Sequence, residues 1–311
     1  ARLRIPEGDP RATPIMLSNP LSEDQSAMRT TLLGSLLDVA QSNLARGAER
    51  VALFESGRVY LAQGASRGGS TSRVRAEMEE ERVKLSGEGS HAGALPGERP
   101  PPVLEPHRLG CIAAGPIVPA SWREGAIDAD FFALKGVLEA LAASLGVGLD
   151  FEPATEPFLH PGRAAAVAIE DTALGWLGEL HPLVCRSWDL EAAAGFELDL
   201  APLLAGTPAG EERFEDLTTH PAVLQDLAVV VPAKVPAEQV RAAVLAGGGE
   251  LLHAAEVFDL YEGEQVGEGR KSLALRLEFR AADRTLTDEE VAGLRQSIAA
   301  ELEQIEGSLR E

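Results

Sequence analysis

Six stretches between Leu224 and Arg310 carry two alternating periodicities in a fixed order, and that order leaves few folds open. Leu227, Val229 and Val231 share one face of a strand over 224–231, and Leu273, Leu275, Leu277 and Phe279 share one face of a strand over 271–280. Phe258 and Leu260 fall on one face of a strand over 251–261. With a period of two, these apolar faces should all meet the same covering layer. A helix over Pro236–Ala246 has Pro at its first turn. A second, over Thr287–Ile305, opens on a capping box, Thr287-x-x-Glu290, and carries Val291, Leu294, Ile298, Leu302 and Ile305 as its stripe. Ser308–Arg310 supplies a last short strand.

The order β-α-β-β-α-β is the split βαβ arrangement of ferredoxin-like domains. If the apolar faces meet the two helices, parity puts Ala228, Tyr261 and Ser272 on the opposite, open face. A Gly-rich turn with Gly263, Gly267 and Gly269 joins the strands that carry the tyrosine and the serine. A small residue, an aromatic and a hydroxyl on a bare sheet can hold an unstacked nucleotide base. Parity alone is equally compatible with a tyrosine that ends one strand and a serine that starts the next.

The upstream half has a different grain. Residues 1–20 are Pro-rich and extended, and Ser22-x-x-Gln25 has capping-box spacing ahead of Met28, Leu32, Leu33, Leu36, Leu37, Ala40 and Leu44, an apolar helical stripe. Val51–Tyr60 reads as a buried strand interrupted by the polar Glu55–Arg58. Residues 64–106 are rich in Gly, Ser, Pro and charge, an insertion in which 74–85 could form a short charged helix. A strand over 109–116, an amphipathic helix over 130–145 and strands over 164–169, 173–180 and 195–200 follow. The helix uses Phe131, Leu134, Leu138, Leu141 and Leu145. The fold class is α+β with mostly antiparallel pairing. The domains are 1–206 and 218–311, joined by a linker at 207–217 within a Pro- and Gly-containing stretch that begins near 201.

The segments HPAVLQDLAVVVP, FDLYEGEQVGEGRKSLA and FRAADRTLTDEEV resemble the ferredoxin-fold anticodon-binding domain of the bacterial phenylalanyl-tRNA synthetase β-subunit family. NPLSEDQSAMRTTLLGSLL, FESGRVY, DFFALKG, FLHPGRAA and GELHP resemble, in order, that family's class-II-synthetase-like module. The resemblance covers most of residues 18–300 and omits the 64–106 insertion. It implies the C-terminal portion of such a subunit, without the family's upstream modules for further tRNA contact and editing. It also implies that the first anticodon base is held by Tyr261, Ser272 and Ala228, the three residues parity selects. Lys271, Arg270 and Arg280 become expected phosphate contacts. The implied partners are an α subunit, in an α2β2 heterotetramer, and tRNA-Phe. No cofactor is expected on this chain, since ATP and Mg²⁺ belong with α. Two departures stand out: Gln225 where the family usually has Arg, and Gly34-Ser35 where it usually has Pro-Gly.

No catalytic residues are expected here. Arg58 lies near the place of a class II phosphate-binding arginine, but its loop lacks the accompanying residues and no Gly-rich stretch ending in Arg follows. Glu55 and Arg58 therefore read as structural. The helix over 29–46 resembles the family's inter-subunit helix, and its stripe serves either a partner or its own core. His160, His181 and His220 each precede Pro at separations that match no metal motif, so no metal is expected. The acidic run 77–81 reads as a solvated helix face. Cys111 and Cys185 are too few for a disulfide framework, and there is no signal-peptide pattern or apolar run near 18 residues, so a cytoplasmic protein off the membrane is expected. The chain opens on Ala1 rather than Met, as a processed or truncated piece would.

Charge cuts against nucleic acid. The net charge is −21, and residues 218–311 carry 9 Lys and Arg against 17 Asp and Glu, or −8. Phosphate affinity rises with the number of cationic contacts. RNA binding must rest on a local site or on a partner's cations. The competing expectation is a stand-alone interaction or regulatory protein that reuses both folds.

Overall fold

A computed structural model describes residues 2–23, 26–62, 103–207, 220–281 and 283–310. The 74–85 helix, the acidic run 77–81, Gln25 of the first capping box and residues 208–217 of the linker lie outside the described residues. The chain divides into two compact units, Ala1–Gly210 and Glu211–Glu311. No helix among the described residues is long and apolar enough to cross a membrane.

The first unit contains helix α1 (Leu33–Ala45), strand β1 (Val51–Arg58), the paired short strands β2 (Leu61–Ala62) and β3 (Val103–Leu104), β4 (His107–Ala114), the paired β5 (Pro116–Val118) and β6 (Ile127–Asp128), helix α2 (Phe131–Leu145), β7 (Asp150–Pro153), β8 (Leu159–Ile169), β9 (Thr172–Leu180), helix α3 (Pro182–Ser187), β10 (Ala194–Asp199) and helix α4 (Leu200–Ala205). Six strands form one antiparallel sheet in the order β1-β4-β10-β9-β8-β7. On one face α1 buries Leu33, Leu36, Leu37 and Ala40 against Ile112, Ala114 and Trp176. On the other, α2 buries Leu134 and Leu138 among Val167, Leu177, Phe196 and Leu198. The close fit of the sheet leaves no room for side chains at Gly175 and Gly195, where an added Cβ would sit 1.9 Å from the Glu197 carbonyl and 2.4 Å from that of Cys111.

Several expected boundaries move. The helix begins at Leu33, so Met28 precedes it and Ser22 is too far upstream to cap it. Its start is held from across the sheet instead. The buried Glu197 accepts hydrogen bonds from Leu32 N (2.9 Å) and Thr31 Oγ1 (2.5 Å). Strand β1 runs through Glu55–Arg58 without interruption. Pro116 belongs to the next strand, β5. Leu200–Ala205 is helical, so the connection between units starts later than 201, after Leu203 has been buried in the core. The stripe of α1 serves its own core; Val39 is exposed on the helix, and Phe54 is exposed on β1 with the parity of the other sheet face.

The second unit keeps the expected order: β11 (Val223–Pro232), α5 (Ala237–Gly248), β12 (Leu252–Tyr261), β13 (Arg270–Phe279), α6 (Asp288–Glu303) and β14 (Ser308–Leu309). The sheet order is β12-β13-β11-β14. Leu227, Val229, Val231, Leu273, Leu275, Leu277 and Phe279 are buried with Val240 and Val244 of α5 and Val291, Ile298 and Leu302 of α6. The capping box is complete, with Thr287 Oγ1 accepting from Glu290 N and Glu290 Oε2 accepting from Thr287 N. The shared helix-side face for Phe258 and Leu260 does not hold. The register shifts between Val257 and Asp259, leaving Phe258 as an extra residue, and both side chains are exposed. One inserted residue reverses the parity of the strand beyond it.

The polar centre of the first unit is Glu197 with Arg108, whose Nη1 donates to Glu197 Oε1 (2.6 Å) and Nε to Asp199 Oδ1 (2.8 Å). Burial opposes the charged guanidinium, but Glu197 and Asp199 outweigh it and hold Arg108 above its ordinary pKa. Removing one member of a buried ion pair leaves an uncompensated charge, at a cost of about 3–5 kcal/mol. Glu197→Ala should lower the stability of the first unit by that order. Urea unfolding followed by tryptophan fluorescence tests it, since Trp122, Trp176 and Trp188 all lie in this unit. An unchanged midpoint would contradict it.

Candidate nucleic-acid interface

The open face of the second unit is set by the register of β13. Ser272 stands opposite Tyr261 on β12 and Val230 on β11, and Ala274 stands opposite Asp259 and Ala228. Directly opposed residues of an antiparallel pair share a face. Tyr261, Ser272 and Ala228 therefore lie together on the face away from the helices, as parity requires. Tyr261 is 40% exposed, whereas Ser272 is 5% exposed, set between larger neighbours. The hydroxyl lines the floor, and the ring forms the accessible wall.

A residue that sequence reasoning passed over completes this corner. Arg310 follows β14, and its N donates to the Ala228 carbonyl (2.9 Å), which continues the sheet edge by one residue. Its guanidinium lies 5.8 Å from the Tyr261 ring centroid and donates to Gln265 Oε1 (2.6 Å). Ser308 and Arg310 have open-face parity in the expected last strand, so the signal was present. What the sequence could not supply was the neighbour, because the sheet order sets β14 beside β11.

The ring is also set by the turn. A Cβ at Gly263 would come within 2.5 Å of the Tyr261 hydroxyl. Gly267 and Gly269 have φ of +87° and +72°, a region that costs other residues strain. Beside the ring the turn shapes a cleft of about 560 Å³ lined by Ala233, Glu262, Gly263, Gly267, Glu268, Gly269 and Arg270.

The three expected phosphate contacts fall in different places. Lys271 stands opposite Val231 and has helix-side parity. Arg270, opposite Pro232, has open-face parity, and its guanidinium donates to the carbonyls of Val230 (3.2 Å) and Glu306 (3.0 Å). Arg280 follows the far end of β13 and pairs with Glu278 at 2.6 Å. Two further cations, Arg310 and Arg276, also have open-face parity. Arg276 lies 5.1 Å from the Phe258 ring centroid and pairs with Asp226 at 3.1 Å. Gln225 stands opposite Leu277, on the helix side, so that departure from the family pattern does not touch this face.

In the first unit, Glu55 and Arg58 are taken up internally. Glu55 pairs with Arg29 and accepts from Ser35 Oγ (3.2 Å), while Arg58 Nη1 donates to the Glu105 carbonyl (3.1 Å). His160 and His181 each accept on Nδ1 from a backbone N–H two residues on. Among the described residues no three of His, Cys, Asp and Glu come together as a metal cluster. Burial pushes the Cys111 thiol up to about 11 and raises Cys185 as well, which disfavours a reactive thiolate in either case.

A ferredoxin-like sheet with a tyrosine on its bare face, following an antiparallel α+β module, defines a two-module protein. Residues 218–310 match the family model described as the ferredoxin-fold anticodon binding domain. Residues 1–200 match that of the phenylalanyl tRNA synthetase beta chain CLM domain, and the chain belongs to the phenylalanyl-tRNA synthetase β-chain family. It is similar to the phenylalanine-tRNA ligase beta subunit of Symbiobacterium thermophilum, 38% identical over 99% of this chain and 31% of the relative. That of Moorella thermoacetica is 40% identical over 100% of this chain and 34% of the relative. That of Thermobifida fusca is 37% identical over 96% and 35%. The chain thus spans about a third of the length of the curated relatives it matches.

Gly263→Ala should displace the Tyr261 ring without unfolding the unit, because the atom in the way is the far end of a side chain. The expected result is a shift of the Tyr261 ring resonances with little change in melting temperature. Unshifted resonances would refute the contact.

Proposed function

We propose that this chain is the non-catalytic, tRNA-reading portion of a phenylalanine-tRNA ligase, with Tyr261 stacking on an anticodon base. The supporting observation is the corner formed by Tyr261, Ser272, Ala228 and Arg310, within a domain whose family is described by anticodon binding. A stacked base gains contact with the ring on one side. Ser272 offers a hydroxyl at the floor, and Ala228 leaves space. Arg310 lies over the tyrosine and can cover the base or meet its phosphate.

The first unit serves as scaffold and as the surface for an α subunit in a cytoplasmic α2β2 enzyme. Phe54, 79% exposed on the edge strand β1, supports that reading. ATP, Mg²⁺ and adenylate chemistry then belong to α. Acidic residues dominate the second unit, so the partner supplies most of the phosphate contact and this chain supplies base recognition.

Tyr261→Ala in the assembled enzyme should weaken tRNA-Phe binding by about 1–3 kcal/mol, the typical worth of one base–aromatic stack. The Michaelis constant for tRNA should rise while ATP–pyrophosphate exchange is unchanged. An unaltered Michaelis constant would remove Tyr261 from the interface.

A further inference from the structure

The open face carries a second aromatic that the Tyr261 corner does not use. Register pairs Val257 with Leu275 and Asp259 with Ala274, so Phe258 has no opposite residue on β13. The bulge turns its ring to the open side, where Arg276 lies over it at 5.1 Å. Arg276 has open-face parity with its opposites Asp226 and Glu256. The ring is 50% exposed. Along β13, Phe258 sits between two and three residues from the level of Tyr261, about 8 Å at roughly 3.3 Å per residue. On the neighbouring strands the sheet is floored by Ala274 and Ala228, and on β12 Asp259 stands between the two rings, its Oδ1 accepting from Leu260 N (2.8 Å).

We propose that Phe258 and Arg276 form a second base platform, which takes the nucleotide adjacent to the one held by Tyr261. The inference rests on the anticodon reading of the same face and extends it from one base to two. The chemistry favours a base over a phosphate. Asp226 holds Arg276 by Nε at 3.1 Å and cancels much of its field, while the guanidinium plane and the phenyl ring both remain stacking surfaces. A four-stranded sheet that stacks neighbouring bases on two aromatics is a general solution for single-stranded RNA. It also gives the bulge a role: without the extra residue, Phe258 and Tyr261 could not both face outward.

The test is a titration of the chain assembled with its α subunit, at low salt, with an anticodon-arm RNA hairpin carrying a fluorescent purine analogue in turn at each anticodon position. With the parent chain, two adjacent positions should quench on binding. Phe258→Ala should weaken binding on the order of tenfold and abolish quenching at one of the two positions. It should leave the salt dependence unchanged, since no phosphate contact is lost. Phe258→Tyr should restore both quenching and affinity, and an unchanged melting temperature would set misfolding aside. If Tyr261→Ala weakens binding while Phe258→Ala leaves affinity and quenching as they were, the second platform is wrong and the anticodon reading stands. An RNA that fails to bind, or that binds both alanine variants as tightly as the parent, overturns the anticodon reading and this inference together.

Discussion

The antiparallel pairing of β13 with both of its neighbours is the constraint on which the second unit depends. It sends Leu273, Leu275, Leu277 and Phe279 into the core, and the same period of two delivers Ser272, Ala274 and Arg276 to the open face. Core and candidate site are therefore one decision read from two sides. A slip of a single residue would expose the leucines and bury the arginine, and the hydrophobic cost of that exchange is what fixes the position of the site. The rigidity of the platform is borrowed from the core beneath it.

This explains which parts of the site were legible in the sequence. Tyr261, Ser272 and Ala228 could be placed because alternation in β11 and β13 is unbroken and Tyr261 regains that register at the end of β12. Phe258 could not, because a bulge leaves no mark in a pattern of apolar letters. Phe258 and Leu260 look like a regular pair, yet Phe258 is itself the residue at which register shifts, while Leu260 stands opposite Leu273. Arg310 was missed for another reason: its parity was readable, but its nearness to Tyr261 depends on sheet order and side-chain reach. Of the cations the resemblance singled out, neighbouring Lys271 and Arg270 fall on opposite faces, Lys271 on the helix side and Arg270 on the open side. In the first unit the sheet, helices and most boundaries were visible from periodicity, whereas the Glu197 contact that anchors the start of α1 joins residues 165 apart.

Electrostatics separates recognition from affinity on this face. Its cations are largely held by protein groups. Arg276 pairs with Asp226, and Arg310 is bound to Gln265 beside Tyr261. An arginine paired with a carboxylate, as Arg276 is, would release few counterions to an incoming polyanion, whereas the neutral Gln265 leaves the charge of Arg310 in place. What remains available is aromatic surface, guanidinium planes and small residues. Those elements discriminate an unstacked base from a paired one and tolerate an acidic surround, in which a chain of net charge −21 would otherwise repel a polyanion.

The two units answer the same need, an antiparallel sheet with its apolar side covered, in opposite ways. In the first, α1 closes one face and α2 the other. Its few polar side chains at the sheet are consumed internally: Glu197 by Arg108, Thr31 and the start of α1, and Glu55 by Arg29 and Ser35. Such a sheet is stable because it offers little to a ligand. In the second, both helices lie on one face, and the bare face bears two aromatics that stay 40–50% exposed. An exposed phenylalanine and a half-exposed tyrosine on a rigid floor are costly to solvate and cheap to stack, so the free energy withheld in folding is released when a planar ligand covers them. The difference between a closed sheet and an open one thus follows from where each sheet puts its helices.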